Sequence, residues 1–251
     1  MRSSSSVVAV GLASFVVVEL RAKAPLVRLS IFRVRSLLTA NVAMFLAMSG
    51  MFAMFFFNTL YIQQVLGYGP LEAGLAFLPF TAGIMVSASL ASQLAPRIGV
   101  RPVAVVGFLL AAAGLLLLTQ LPVDGSYVSN LLPALVLSSL GMGGLFMPLT
   151  LIATTGLQDE DQGLASGLFN TSQQVGGALG LAVLSTLATS KAHAAGGPPL
   201  NALVVGFHWA FAAGAFVMLL ACGVMVALLR KRHVARIEEQ AAAGEPAFAA
   251  V

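Results

Sequence analysis

Residues Leu37–Leu60 read LLTANVAMFLAMSGMFAMFFFNTL, an unbroken apolar stretch without Asp, Glu, Lys or Arg. A helix needs about 20 such residues to cross the hydrocarbon of a bilayer, so this segment is long enough to span one. Working outward, the pattern recurs at Leu71–Leu94, Val103–Leu121, Val128–Ile152, Leu164–Ala188 and Val205–Leu229, which predicts six crossings. The 251 residues as a whole are 59% hydrophobic and 9% charged, whereas a soluble protein is roughly 25% charged. Too few charges remain to cover a water-facing surface, so a soluble globular fold is excluded and the outside must meet a lipid bilayer. The spans consume the chain and leave no room for a soluble catalytic domain.

Ahead of the first span, Val7–Val18 is apolar but short, and it follows Arg2 and four serines. It resembles the core of a signal peptide with Ala22-Lys23-Ala24 as the cleavage site, but Glu19 and Arg21 crowd that site and Pro25 would follow the cut. The expected organisation is a partial transmembrane helix at 1–20, a basic cytoplasmic linker at 21–36, a six-helix bundle at 37–229 and a cytoplasmic tail at 230–251. From Ile237 onward the tail has the Ala, Glu, Gly and Pro composition of a disordered segment.

Basic residues fall on alternate connections. Arg21, Lys23, Arg28, Arg33 and Arg35 precede the first span, Arg97 and Arg101 follow the second, and Arg230, Lys231, Arg232 and Arg236 follow the sixth. The other side holds Lys191 and, at the chain start, Arg2. This bias predicts a multi-pass protein of the cell (inner) membrane with its C-terminus in the cytoplasm. Topology thus accounts for the net charge of +4, and nucleic acid is not an expected partner.

Six spans that begin and end on one side divide into two sets of three, the second inverted relative to the first. A faint echo supports the division. Ala73-Gly74-Leu75 opens the second span and Ser166-Gly167-Leu168 the fifth, and Gly83 and Gly176 share the same spacing of 93 positions. The fifth span also carries Gly163, Gly177 and Gly180, and the fourth carries Gly141, Gly143, Gly144 and Pro148. Small residues let helices approach closely in lipid, and glycine with proline also marks broken helices along a substrate path.

Along the first span, Asn41, Met44, Met48, Met51, Phe55 and Asn58 recur at steps of three and four, hence on one face. Thioethers and aromatic rings repack around varied apolar ligands; packing against neighbouring helices is the alternative. Asn170, Thr171, Gln173 and Gln174 lie at membrane depth in the fifth span, and amides there must face protein or a watery cavity. Trp209 reads as an interfacial anchor, and His193, His208 and His233 lack a second ligand at metal spacing.

The single cysteine, Cys222, excludes a disulfide framework. No metal and no cofactor is expected. The acidic run Asp159-Glu160-Asp161 reads as carboxylates at a helix start. Within the apolar runs the one Asp, Glu, Lys or Arg is Glu72, at a boundary, so no carboxylate relay for a coupling ion is visible. Nucleotide-binding and hydrolytic motifs are also missing, and no enzyme is expected.

Three stretches carry a family resemblance. They are Leu66-Gly67-Tyr68-Gly69-Pro70-Leu71-Glu72-Ala73-Gly74, Arg97-Ile98-Gly99-Val100-Arg101, and above all the run from Gln162 to Gly180. These resemble the C-terminal half of major facilitator superfamily transporters, nearest to the fourteen-span drug:proton antiporters of EmrB/QacA type. The resemblance implies one six-helix half of a proton-coupled multidrug efflux permease working by alternating access, on amphipathic small molecules and protons. Asn41, Met48, Met51, Phe55, Asn58, Met142, Phe146, Asn170 and Gln173 become substrate-cavity candidates. Arg97, Gly99 and Arg101 form the cytoplasmic gating loop, and Gly163, Gly167, Gly176, Gly177 and Gly180 serve helix packing.

Two departures stand out. Pro96 replaces the acid of the family's loop pattern, and Gln173 sits where arginine is common. The family's coupling carboxylates belong to an N-terminal half that these residues do not include, so a separately encoded N-terminal bundle is an expected partner. Two other readings remain: a non-transporting membrane partner or assembly subunit, and a carrier of another small metabolite.

Overall fold

The computed structural model describes residues 34–154 and 159–228, with the side chains of Asp159 and Glu160 left aside. The partial helix at 1–20, most of the linker and the tail lie outside the described residues. Six long apolar helices run through the rest: α1 Arg35–Val65, α2 Pro70–Ile98, α3 Val100–Leu118, α4 Tyr127–Thr154, α5 Asp159–Ala195 and α6 Pro199–Leu228. Each contains the corresponding predicted span or overlaps it almost entirely. Arg35 and Ser36, assigned from sequence to the linker, belong to α1.

Local chemistry sets the helix ends. Pro70 occupies the first turn of α2, where its missing N–H costs nothing, and the Glu72 carboxylate accepts from the Gly69 N–H at 2.9 Å. Glu72 is therefore a helix-start carboxylate. Gly99 alone joins α2 to α3 at φ +91°, a conformation that side chains resist. Helix α5 begins at Asp159, so Asp161 falls in its first turn, where negative charge meets the positive helix end. The last turn of α1, Tyr61–Val65, and the first of α4, Tyr127–Leu131, are widened to π geometry. Pro148 lies inside α4 without ending it.

Packing is exchanged between the two sets of three. The chief neighbours of α1 are α5 and α6, and those of α4 are α2 and α3. The 93-residue echo has a structural counterpart in these contacts. A Cβ on Gly83 of α2 would strike Ser139 of α4, and one on Gly176 of α5 would strike the Phe45 backbone of α1. The hydrogen bonds follow suit: Ser87 of α2 donates to the Leu140 carbonyl of α4, and Ser49 of α1 donates to the Gly176 carbonyl of α5 at 2.9 Å. The fold is an all-α membrane bundle of two inverted three-helix repeats. Helices α1 and α4 are its most enclosed members, and α2 and α5 its most exposed.

Candidate functional site

Helix α5 presents an exposed side that does not suit acyl chains. Ser166, Asn170, Thr171, Gln174 and Thr189 are exposed along it, with Ser185 half-buried. Gln174 is 13 residues past Asp161, about 20 Å along the axis, and so lies well inside the span. The neighbouring apolar edge, Val175, Leu179 and Val183, is equally exposed but lies about 80° or more around the helix from Ser166, Asn170, Gln174 and Ser185, with Thr171 and Thr189 on the border, so the helix sets a polar stripe beside a greasy one. Burying an unpartnered amide in hydrocarbon costs about 2–7 kcal/mol, which the apolar edge avoids and the polar stripe does not.

Contacts with α1 fix the register of this stripe. Ser172 Oγ donates to Asn41 Oδ1 at 2.7 Å, and Asn41 Nδ2 donates to the Leu37 carbonyl at 2.8 Å. The close approach of Gly176 and Gly180 to α1 removes any room for a side chain between the helices, and Gly177 faces the Phe52 ring. The α5 backbone is thereby held against α1 with the stripe turned outward. Thr81, Met85, Ser89 and Ser92 make a matching exposed line on α2.

The predicted site residues divide into three groups. Asn170 lies on the open stripe, Gln173 is half-buried at its edge, and Phe146 is exposed on α4. Met51 and Phe55 are half-buried, and the Phe55 ring packs against Phe77 and Phe80 of α2 at 5.2 and 4.9 Å. Met48, Met142, Asn58 and, largely, Asn41 are enclosed within the bundle in this conformation. Asn58 is fully buried, and neither its Oδ1 nor its Nδ2 has a partner among the described residues. Of the packing glycines, Gly176, Gly177 and Gly180 abut α1, whereas Gly163 and Gly167 face open space; they share the outward side of α5 with Asn170 and Gln174, while Ala165 and Phe169 on the same stretch are buried.

In the gating loop, Arg97 is exposed, and Arg101 Nη2 donates to the Val226 carbonyl at 2.8 Å, tying the start of α3 to the last turns of α6. At the opposite end, Lys191 Nζ sits 4.2 Å from the Trp209 ring centroid. His208 Nε2 and the Leu121 carbonyl are 2.8 Å apart, so this histidine ties α6 to the α3–α4 connection. Sequence reasoning missed the Ser172–Asn41 bond, the exposed Phe52 and Phe56, and the α2 line. The 93-residue spacing, which pairs Thr81 with Gln174 and Ser92 with Ser185, could have exposed the last.

Residues 5–181 match the sequence model described as Major Facilitator Superfamily. The chain is 37% identical over 246 residues to the puromycin resistance protein pur8 of Streptomyces alboniger, covering 94% of this chain and 49% of that protein. It is 38% identical to the cephamycin export protein CmcT of Amycolatopsis lactamdurans over 71% of this chain and 37% of that protein. It is 29% identical to the multidrug transporter protein MdtP of Bacillus subtilis over 72% and 34%. The chain thus spans about half or less of the length of the curated relatives it matches. A solved structure of a bacterial homologue of the human drug peptide transporters PepT1 and PepT2 superposes with TM-score 0.67 at 18% identity, over 83% of this chain and 48% of that one; that likeness is one of fold.

Proposed function

The chain belongs to the Major Facilitator Superfamily, and from that premise we propose that it forms one six-helix bundle of a proton-coupled multidrug efflux permease. The family is one of transporters, so the chain is a multi-pass membrane transport protein and not an enzyme. Its relatives include proteins of drug resistance and export, which favours amphipathic drugs as cargo.

The observation that carries the reading is the outward polar stripe of α5. Set against a second bundle of the same fold, Asn170, Thr171 and Gln174 line a watered cleft instead of lipid. Their amides and hydroxyl pair with polar groups of the cargo. Phe52, next to α5 at Gly177, and Phe56 and Phe146, likewise exposed, supply the apolar contact area. Rocking of the two bundles opens this cleft to one side and then the other. Proton coupling falls to the second bundle, since Glu72 stands at the edge of its span and the other spans carry no carboxylate at depth. Arg35, Arg97 and Arg101 share one end of the bundle, which supports a cytoplasmic orientation for that end.

The test is reconstitution into vesicles under an imposed proton gradient. These 251 residues alone should bind an amphipathic drug without accumulating it. Gradient-dependent accumulation by these residues alone would overturn the assignment of coupling to a second bundle. Asn170→Leu with Gln174→Leu should weaken binding about tenfold, the equivalent of one lost polar contact.

A further inference from the structure

A recess of about 670 Å³ opens at the Glu72 end of the bundle, away from Arg97, lined by Tyr68, Glu72, Leu75, Leu78, Pro79 and Tyr127 among others. We propose that this recess is a second binding site, a charge-selective mouth that takes amphipathic organic cations and turns away anions of the same shape. Its volume lies within the range of drug-sized pockets.

The walls are built for that chemistry. The Tyr68 and Tyr127 rings pair at the recess, with centroids 6.3 Å apart and planes inclined at 36°, and give it an aromatic wall. A cation over such faces gains from the ring quadrupole. Glu72 adds a carboxylate at the rim, and Leu75, Leu78 and Pro79 supply apolar area for the ligand's body. Both polar walls are fixed before any ligand arrives. Tyr127 OH donates to the Ala76 carbonyl at 2.7 Å, and the Glu72 carboxylate is held by the Gly69 N–H. Tyr127 opens the π-widened turn Tyr127–Leu131.

Charge at this end agrees. The described residues there carry the carboxylates of Glu72 and Asp124, both exposed, and one ammonium, Lys191, which is engaged with Trp209. The recess is separate from the α5 stripe, since none of its lining residues comes from α5. The inference rests on the transport reading for the idea that cargo passes here, while binding itself is measurable without transport.

The experiment is equilibrium binding of tetraphenylphosphonium and of tetraphenylborate, its isosteric anion, to the 251-residue chain in lipid nanodiscs, with empty nanodiscs subtracted. Tetraphenylphosphonium should bind in a protein-dependent way and tetraphenylborate should not. Glu72→Gln and Tyr68→Ala should each weaken the cation about tenfold, near the upper range for one such contact, while Tyr68→Phe retains it. Glu72→Gln leaves an amide oxygen to accept from Gly69, so helicity by circular dichroism should be unchanged. No protein-dependent cation binding, or binding untouched by both Glu72→Gln and Tyr68→Ala, overturns the proposal. Cation binding lost only on Asn170→Leu with Gln174→Leu also overturns it, yet leaves the reading of the α5 stripe standing. Loss on Glu72→Gln and Tyr68→Ala alone supports the recess whatever vesicle transport shows.

Discussion

At the scale of single residues, the closest helix contacts turn on the absence of a side chain. Gly180 lies against the Ser49 backbone, and a Cβ there would overlap it. Gly180→Val should therefore force α5 away from α1 and cost about 2 kcal/mol, as overpacking of a filled interface does, read as an earlier unfolding midpoint in an SDS titration from mild detergent. Gly167→Val is the internal control: the open space around Gly167 predicts almost no loss. The sequence showed a row of five glycines but not which of them touch a neighbour, because identity alone does not fix which side of α5 meets α1. Asn41 shows a similar limit. Its place on the methionine-rich face was legible, but its bond to Ser172 joins residues 131 positions apart and leaves no local signal.

Among the elements, the helices themselves were the most legible part. Lipid demands long apolar runs with internally paired backbones, so hydropathy located all six spans. Less legible was their facing. The methionine stripe of α1 reads as one face, and the structure divides it: Met44, Met48 and Asn58 are enclosed while Met51 and Phe55 are half-buried. The enclosing atoms come from other helices, whose positions the stripe does not encode. The joint at Gly99 gives a prediction proper to this scale. With φ at +91° and ψ at 153°, Gly99→Ala should cost about 1–3 kcal/mol and loosen the α2–α3 turn. Limited proteolysis should then cut near Arg97 and Arg101 sooner than in the parent chain; unchanged cleavage and an unchanged melting temperature would contradict this.

For the whole molecule, the exchanged packing of the two repeats decides what faces outward. Because α1 and α4 hold the centre, α2 and α5 carry the most open surfaces, and on α5 part of that surface is polar at mid-span. The inverted repeat was visible in sequence through the 93-residue echo. Its consequence, a helix with one polar and one apolar exposed edge, needed the burial of each residue. The account stands most directly on one measurement: accessibility of single cysteines along α5 to a membrane-impermeant thiol reagent, in a background with the buried Cys222 replaced by serine. Cysteines at Asn170, Gln174 and Ser185 should react quickly, while those at Leu179 and Val183 stay protected by lipid. Equal reactivity at all five positions, or reaction confined to Leu179 and Val183, would contradict a water-lined wall on this helix.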